Sequence, residues 1–178
     1  MKIRFFVLIL IFSFSKMNAQ QCSDCGKNPH LKFISLKIKG TKIDTAVAKT
    51  NGVYLRKFFR INLDKTRQDI YHFYRFFENG KVYMSCGYCS FPNGSELNDL
   101  KYGSYGEYRI ENNQIVIEGH GSYVGYYLSY WKTESDTLIE THTSKRKFDG
   151  KIKLKKAYTD NEYPYEFYKC KLTTNSFW

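Results

Sequence analysis

From Asn51 to the C-terminus the chain breaks into β-rich runs of about six to ten residues separated by turn chemistry, and no ten-residue stretch carries apolar residues at helical spacing. "NGVYLRKFFRINL" opens on Asn51-Gly52 and gives way to the polar break "DKTRQD". "IYHFYRFFENGKVYMS" bends at Glu78-Asn79-Gly80, a strong short-range hairpin signal. Further on, "YGSYGEYRI" and "QIVIEG" flank "ENN", while "SYVGYYLSYW" and "TLIETHTS" flank "KTESD". "KIKLKKAY" follows Asp149-Gly150, and "YEFYKCKL" comes after Pro164. Upstream, "LKFISLKIKG" alternates Leu31, Phe33, Leu36 and Ile38 with lysines and reads as a further strand or a short amphipathic piece. Only "SELNDLK" has a helical flavour, enough for about one turn. The 16 Tyr and 14 Phe against 3 Pro suit strands with half-buried faces.

Eight or nine antiparallel strands in sequential order follow from this grammar. Such a meander leaves two exposed edges unless it closes, and closure at about eight strands makes a small up-and-down barrel whose interior holds side chains or one ligand. A two-sheet sandwich is the alternative. With no long return connection, a Greek key is less natural.

Alternation then selects an interior. If Ile110 and Ile115 flank one turn and share a face, Tyr108 and Ile117 join them, with the facing run Val124, Tyr126, Leu128 and Tyr130. Phe73 or its neighbour Tyr74 completes the set, and Phe73 is taken as the candidate because both faces of that strand are aromatic. Ile139 is expected in the core, leaving Glu140 and His142 toward water. Tyrosine-rich walls suit a lipidic or aromatic ligand, or else fill the barrel solid.

The N-terminus reads "MKIRFFVLILIFSFSKMNAQ": two cations, then an apolar run too short to span a bilayer and of the length of a secretory h-region. Residues 1–20 are therefore expected to be a signal peptide cleaved after Ala19 or Gln20. Residues 21–50 form a leader with a Cys pair and one possible strand, and residues 51–178 the barrel with its C-terminal tail. Export to the periplasm or beyond follows, with no transmembrane segment. Losing Lys2, Arg4 and Lys16 lowers the formal charge from +11 to +8, since 25 basic residues remain against 17 acidic ones. That balance favours an anionic envelope surface, and export disfavours nucleic acid. "TSKRKFDGKIKLKK" concentrates the cations. They read as edge protection or as an electrostatic footprint.

No enzymatic activity and no cofactor are expected. The sequence lacks a Gly-x-Ser-x-Gly elbow in strand-to-helix context, a phosphate loop, and any His-Glu-x-x-His grouping. Its four histidines, His30, His72, His120 and His142, are scattered one per segment, with His120 placed at a turn. Four of the five cysteines form two Cys-x-x-Cys pairs, Cys22/Cys25 and Cys86/Cys89, and Cys170 stands alone. By spacing they could hold zinc or act as thiol-redox groups. Export favours disulfides instead. In a regular strand, residues three apart point to opposite faces, so at least one of Cys86 and Cys89 lies in a loop.

The succession "NGVYLRKF", "YRFFENGKVYMS", "YGEYRIENNQIVIEG" and "DTLIETHT" resembles the lipocalin-like (calycin) small secreted proteins of Bacteroidetes-type bacteria over about residues 50 to 145. The resemblance implies an exported barrel that binds a small hydrophobic ligand or serves as an envelope accessory module. The alternatives are a solid barrel that binds proteins or anionic surfaces, and an exported zinc or thiol-redox protein. It also implies a terminal segment tied to the barrel wall: one bridge from the Cys22/Cys25 pair to the barrel and one from Cys170 to Cys86 or Cys89, leaving one thiol unpaired.

Overall fold

The computed structural model describes residues 46–100, 103–121, 125–146, 152–156 and 164–173. It is all-β, with strands β1 (Gly52–Ile61), β2 (Arg67–Phe76), β3 (Lys81–Ser85), β4 (Gly103–Glu111), β5 (Gln114–Gly121), β6 (Gly125–Glu134), β7 (Thr137–Arg146), β8 (Ile152–Lys156) and β9 (Tyr165–Lys169). Each of β1 to β7 pairs antiparallel with the next. β9 then joins β7 to β1, so eight strands close a barrel, as the hairpin grammar implied. The sequential order breaks only at closure. β8 pairs with His142–Arg146 alone, and Thr137 and Leu138 at the other end of β7 take Glu166 and Tyr165 of β9.

The turns use residues that tolerate left-handed backbone. Lys65 (φ 66°) lies between β1 and β2, and Gly80 (φ 81°) between β2 and β3. Asn112 and Asn113 (φ 50° and 61°) make the two-residue link from β4 to β5, the conformation whose twist matches that of antiparallel strands. Ser135 (φ 55°) opens the link from β6 to β7.

Two apolar clusters result. One fills the barrel, around Tyr54, Phe76, Val82, Tyr108, Ile115, Ile117, Trp131, Leu138 and Tyr165. The other lies outside it, where Val53, Phe73 and Tyr83 are covered by Tyr88, Leu97 and Leu100 of the loop after β3. That loop bridges back to β2 through Tyr71 and Tyr88. The helical flavour of "SELNDLK" amounts to a turn, with Leu97 N–H bonded to Asn93 O (3.0 Å) and Asp99 N–H to Ser95 O (2.8 Å). Buried Arg75 ties the layer down, donating to Asn98 Oδ1 (3.2 Å) and Thr173 O (2.6 Å). Among the described residues no helix is long and apolar enough to cross a membrane. The signal segment, Cys22, Cys25, His30 and the strand expected near residue 31 lie outside the described residues.

Candidate functional site

Register decides which side chains meet inside. Tyr54 pairs with Tyr74, Arg56 with His72 and Phe58 with Ile70, so the even-numbered residues of β1 and β2 face inward. Across the barrel the inward pairs are Tyr108 with Ile117 and Ile115 with Trp131. One half of the interior is packed shut, with rings in edge-to-face contact: Tyr54 to Phe76 at 5.6 Å, Phe76 to Tyr108 at 4.8 Å and Trp131 to Tyr165 at 5.8 Å between centroids. Val47 and Ala48, just ahead of β1, close that end.

The other half differs. Arg56, Phe58, His72, Met84, Tyr127 and Glu140 lie on the inward face, yet each is only half-buried. Inward-facing side chains that water still reaches mark a recess above the packed floor. Arg56 Cζ sits 4.6 Å from the Tyr165 ring centroid and 5.3 Å from that of Phe58. Its Nε is buried without a hydrogen-bond partner. The Phe58 and His72 rings meet at 4.9 Å and 90°. Tyr127 Oη lies 3.9 Å from Met84 Sδ. Opposite, Glu140 Oε1 accepts from Thr143 Oγ1 at 2.7 Å.

Protonation follows from desolvation. Burial, seconded by the Arg56 charge, drops His72 to about 4, so the imidazole is neutral at pH 7. Burial also raises the Glu140 carboxyl, against the opposing pull of the Thr143 hydrogen bond and Arg56. The Tyr74 and Tyr127 hydroxyls go up for the same reason, and Tyr165 reaches about 12. The recess thus holds one permanent cation, one carboxyl inclined to keep its proton, and a ring of neutral tyrosines.

Of the residues chosen from alternation, Tyr108, Ile110, Ile115 and Ile117 do belong to the interior cluster. Phe73 does not: it packs in the outer layer, 6.0 Å from Tyr88, and Tyr74 takes the inward place. Leu128 and Tyr130 face away as well. The β5–β6 hairpin pairs Gly121 with Gly125 across an odd number of residues, which keeps parity, so Ile117 meets Ser129 and Ile115 meets Trp131. Tyr126 pairs through its backbone with His120, and Val124 lies outside the described residues. His120 is therefore a β5 strand residue, not a turn residue.

β7 corrects another expectation. Leu138 is fully buried in the barrel and Glu140 follows it inward, leaving Ile139 outside the interior cluster. His142 escapes because the register shifts between Tyr130 and Trp131: Trp131 pairs with Glu140 and Tyr130 with His142, leaving Thr141 as the extra residue of a bulge. Glu140 is thus inside and His142 exposed.

Cys86 and Cys89 are each disulfide-bonded, and Cys170 is a free thiol packed against the outer layer. The expected bridge from Cys170 to Cys86 or Cys89 is thereby ruled out. The tail is held instead by Arg75 and by apolar packing of Cys170 and Leu172. Among the described residues no three His, Cys, Asp or Glu side chains gather as a metal cage.

Arg56, Phe58, His72, Met84 and Tyr127 were not singled out from sequence. In "VYLRKFFR" basic and aromatic residues occur in both parities, so alternation there does not separate inside from outside. The glycine that begins β1 is the one usable clue. A Cβ at Gly52 would lie 2.4 Å from Tyr168 O, which places this strand start at the closure. No family model, no curated protein and no solved structure matches the chain.

Proposed function

We propose that the barrel is a lipocalin-like, exported binding module that takes one small hydrophobic molecule bearing an acidic group into the recess between Arg56 and Tyr127. The carrying observation is Arg56, an inward-facing guanidinium stacked on Tyr165 with a buried Nε that has no hydrogen-bond partner among the described residues. Leaving a buried donor unmade costs about 1–3 kcal/mol, more on a charged group, and an anionic head group on the ligand would recover it. Phe58, Met84, Tyr74 and the floor formed by Trp131 and Tyr165 supply apolar contact for the body of the ligand. Neutral His72 would offer a hydrogen bond without adding charge, and burial biases Glu140 toward its uncharged form. Binding and screening is the activity this inventory supports.

Native mass spectrometry of protein purified from its own host should show a co-purifying organic acid, and a fluorescent fatty acid should be displaced by acids in preference to the matching alcohols. Arg56→Gln should abolish that preference while keeping the alcohols. Equal binding of acids and alcohols by the unmodified protein would overturn the assignment.

A further inference from the structure

Every large hydrophobic side chain left exposed among the described residues lies on one side of the barrel. Phe59 and Ile61 stand on the outward face of β1, Leu63 at the tip of the β1–β2 turn, Phe91 in the loop after β3, and Tyr168 on β9 beside β1. The apolar surface on this side includes an aromatic group toward the start of β1, where the Phe91 ring is 5.4 Å from Tyr168 and 5.7 Å from Tyr71. It is most exposed at the turn, where Ile61 is 60 % exposed and Leu63 wholly so.

The turn is rigidly built. Asn62 N–H donates to Thr66 O and Lys65 N–H to Asn62 O, both at 2.9 Å, and Asp64 Oδ1 accepts from Thr66 N–H and Oγ1–H at 3.0 and 2.6 Å. Leucine at such an apex is held in water by the fold itself. Cations surround it. Lys57, Arg60, Lys65 and Arg67 flank the apolar residues, and the nearby acids are engaged, Asp64 within the turn and Asp69 by Lys57 (2.7 Å) and Arg67 (3.8 Å). Because the strands alternate in direction, the end of β7 and the start of β8 come to the same end of the barrel as this turn. That end is also the one at which the interior stays accessible.

We propose that this end of the barrel docks on an anionic lipid bilayer, with Leu63 and Ile61 entering the acyl boundary, Phe59 at the head-group level, and Lys65 and Arg67 on lipid phosphates. A projecting apolar tip ringed by cations matches the layered polarity of an anionic membrane surface, where cations and buried apolar area add. The inference does not depend on the ligand proposed above.

The test is cosedimentation of the protein, purified from its own host so that any processing is native, with phosphatidylcholine vesicles with and without phosphatidylglycerol. Binding is expected only with phosphatidylglycerol, weakening as salt rises. Leu63→Asp should lower the affinity about tenfold or more, as should Lys65→Glu combined with Arg67→Glu, with thermal unfolding unchanged because these side chains are exposed. Leu63→Trp should show vesicle-dependent blue-shifted emission quenched by brominated acyl chains. Arg56→Gln should leave vesicle binding intact, which separates this surface from the recess. Absence of binding to phosphatidylglycerol vesicles, or full binding by Leu63→Asp, would overturn the proposal. So would Leu63-dependent self-association in sedimentation velocity without vesicle binding, which would make a second copy of the chain the occupant.

Discussion

His72 and Glu140 both face the interior, where each feels the Arg56 charge, and their shifts act on stability with opposite sign. The folded-state value of His72 lies near 4, below its ordinary 6.5, so the unfolded chain takes up that proton first as pH falls. Its contribution is present above pH 6.5 and lost between 6.5 and about 4, no more than about 3 kcal/mol and less where water reaches the ring. Glu140 is raised above 4.5, so its contribution is present below 4.5 and lost as pH rises through its folded value. Denaturant midpoints measured against pH should therefore change in opposite directions in two variants. His72→Phe should lose part of the fall in stability toward pH 4, and Glu140→Gln should gain stability relative to the parent as pH rises toward neutrality. At Arg75 the expected cost is larger. Arg75→Leu removes the ties to Asn98 Oδ1 and Thr173 O together with a buried side chain, and should destabilise by about 2–4 kcal/mol in equilibrium unfolding, with the tail more readily cleaved by proteases.

Hairpin turns and the closing strand set the register of the elements. Asn112 and Asn113 both occupy left-handed backbone, where an Asn-Gly pair is preferred. Asn113→Gly should hold or slightly raise the melting temperature, whereas Asn113→Val should lower stability by about 1–2 kcal/mol, read from denaturant midpoints. Closure rests on the short pairings of β9, and Gly52 lies at that seam, where an added Cβ would meet Tyr168 O and the Phe167 ring. Gly52→Ala is expected to cost about 1–3 kcal/mol, with faster hydrogen exchange in Val53–Leu55 than in β4 or β5. The bulge at Thr141 shows why a strand can be recognised while its faces are not. One extra residue separates Glu140 from His142, and nothing in "LIETHTS" marks where it falls.

For the molecule as a whole, the thiol chemistry is the feature most open to direct assay. Cys86 and Cys89 should resist alkylation without reductant, and Cys170 should react more slowly in native than in unfolded protein, since its half-buried thiol packs against the outer layer. Mass spectrometry of the alkylated, digested protein reads this directly, and rapid labelling of Cys86 or Cys89 in native protein would contradict the bonded state. An all-β chain of many antiparallel hairpins, with turns at Gly80, Asn112-Asn113 and Ser135, was legible from residue order because turn chemistry and strand propensity act over a few neighbouring residues. So were the inward places of Tyr108, Ile110, Ile115 and Ile117, which flank one short turn. The places of Phe73, Leu128, Tyr130 and Glu140 were not, because each depends on turn parity, a bulge or an outer layer that covers the second face of a strand. Tertiary structure alone decided that β9 and not β8 closes the ring, that half of the interior is filled, and that Arg56 Nε has no hydrogen-bond partner among the described residues. Those outcomes come from contacts between residues far apart in the chain, where register, not local preference, sets which side chains meet.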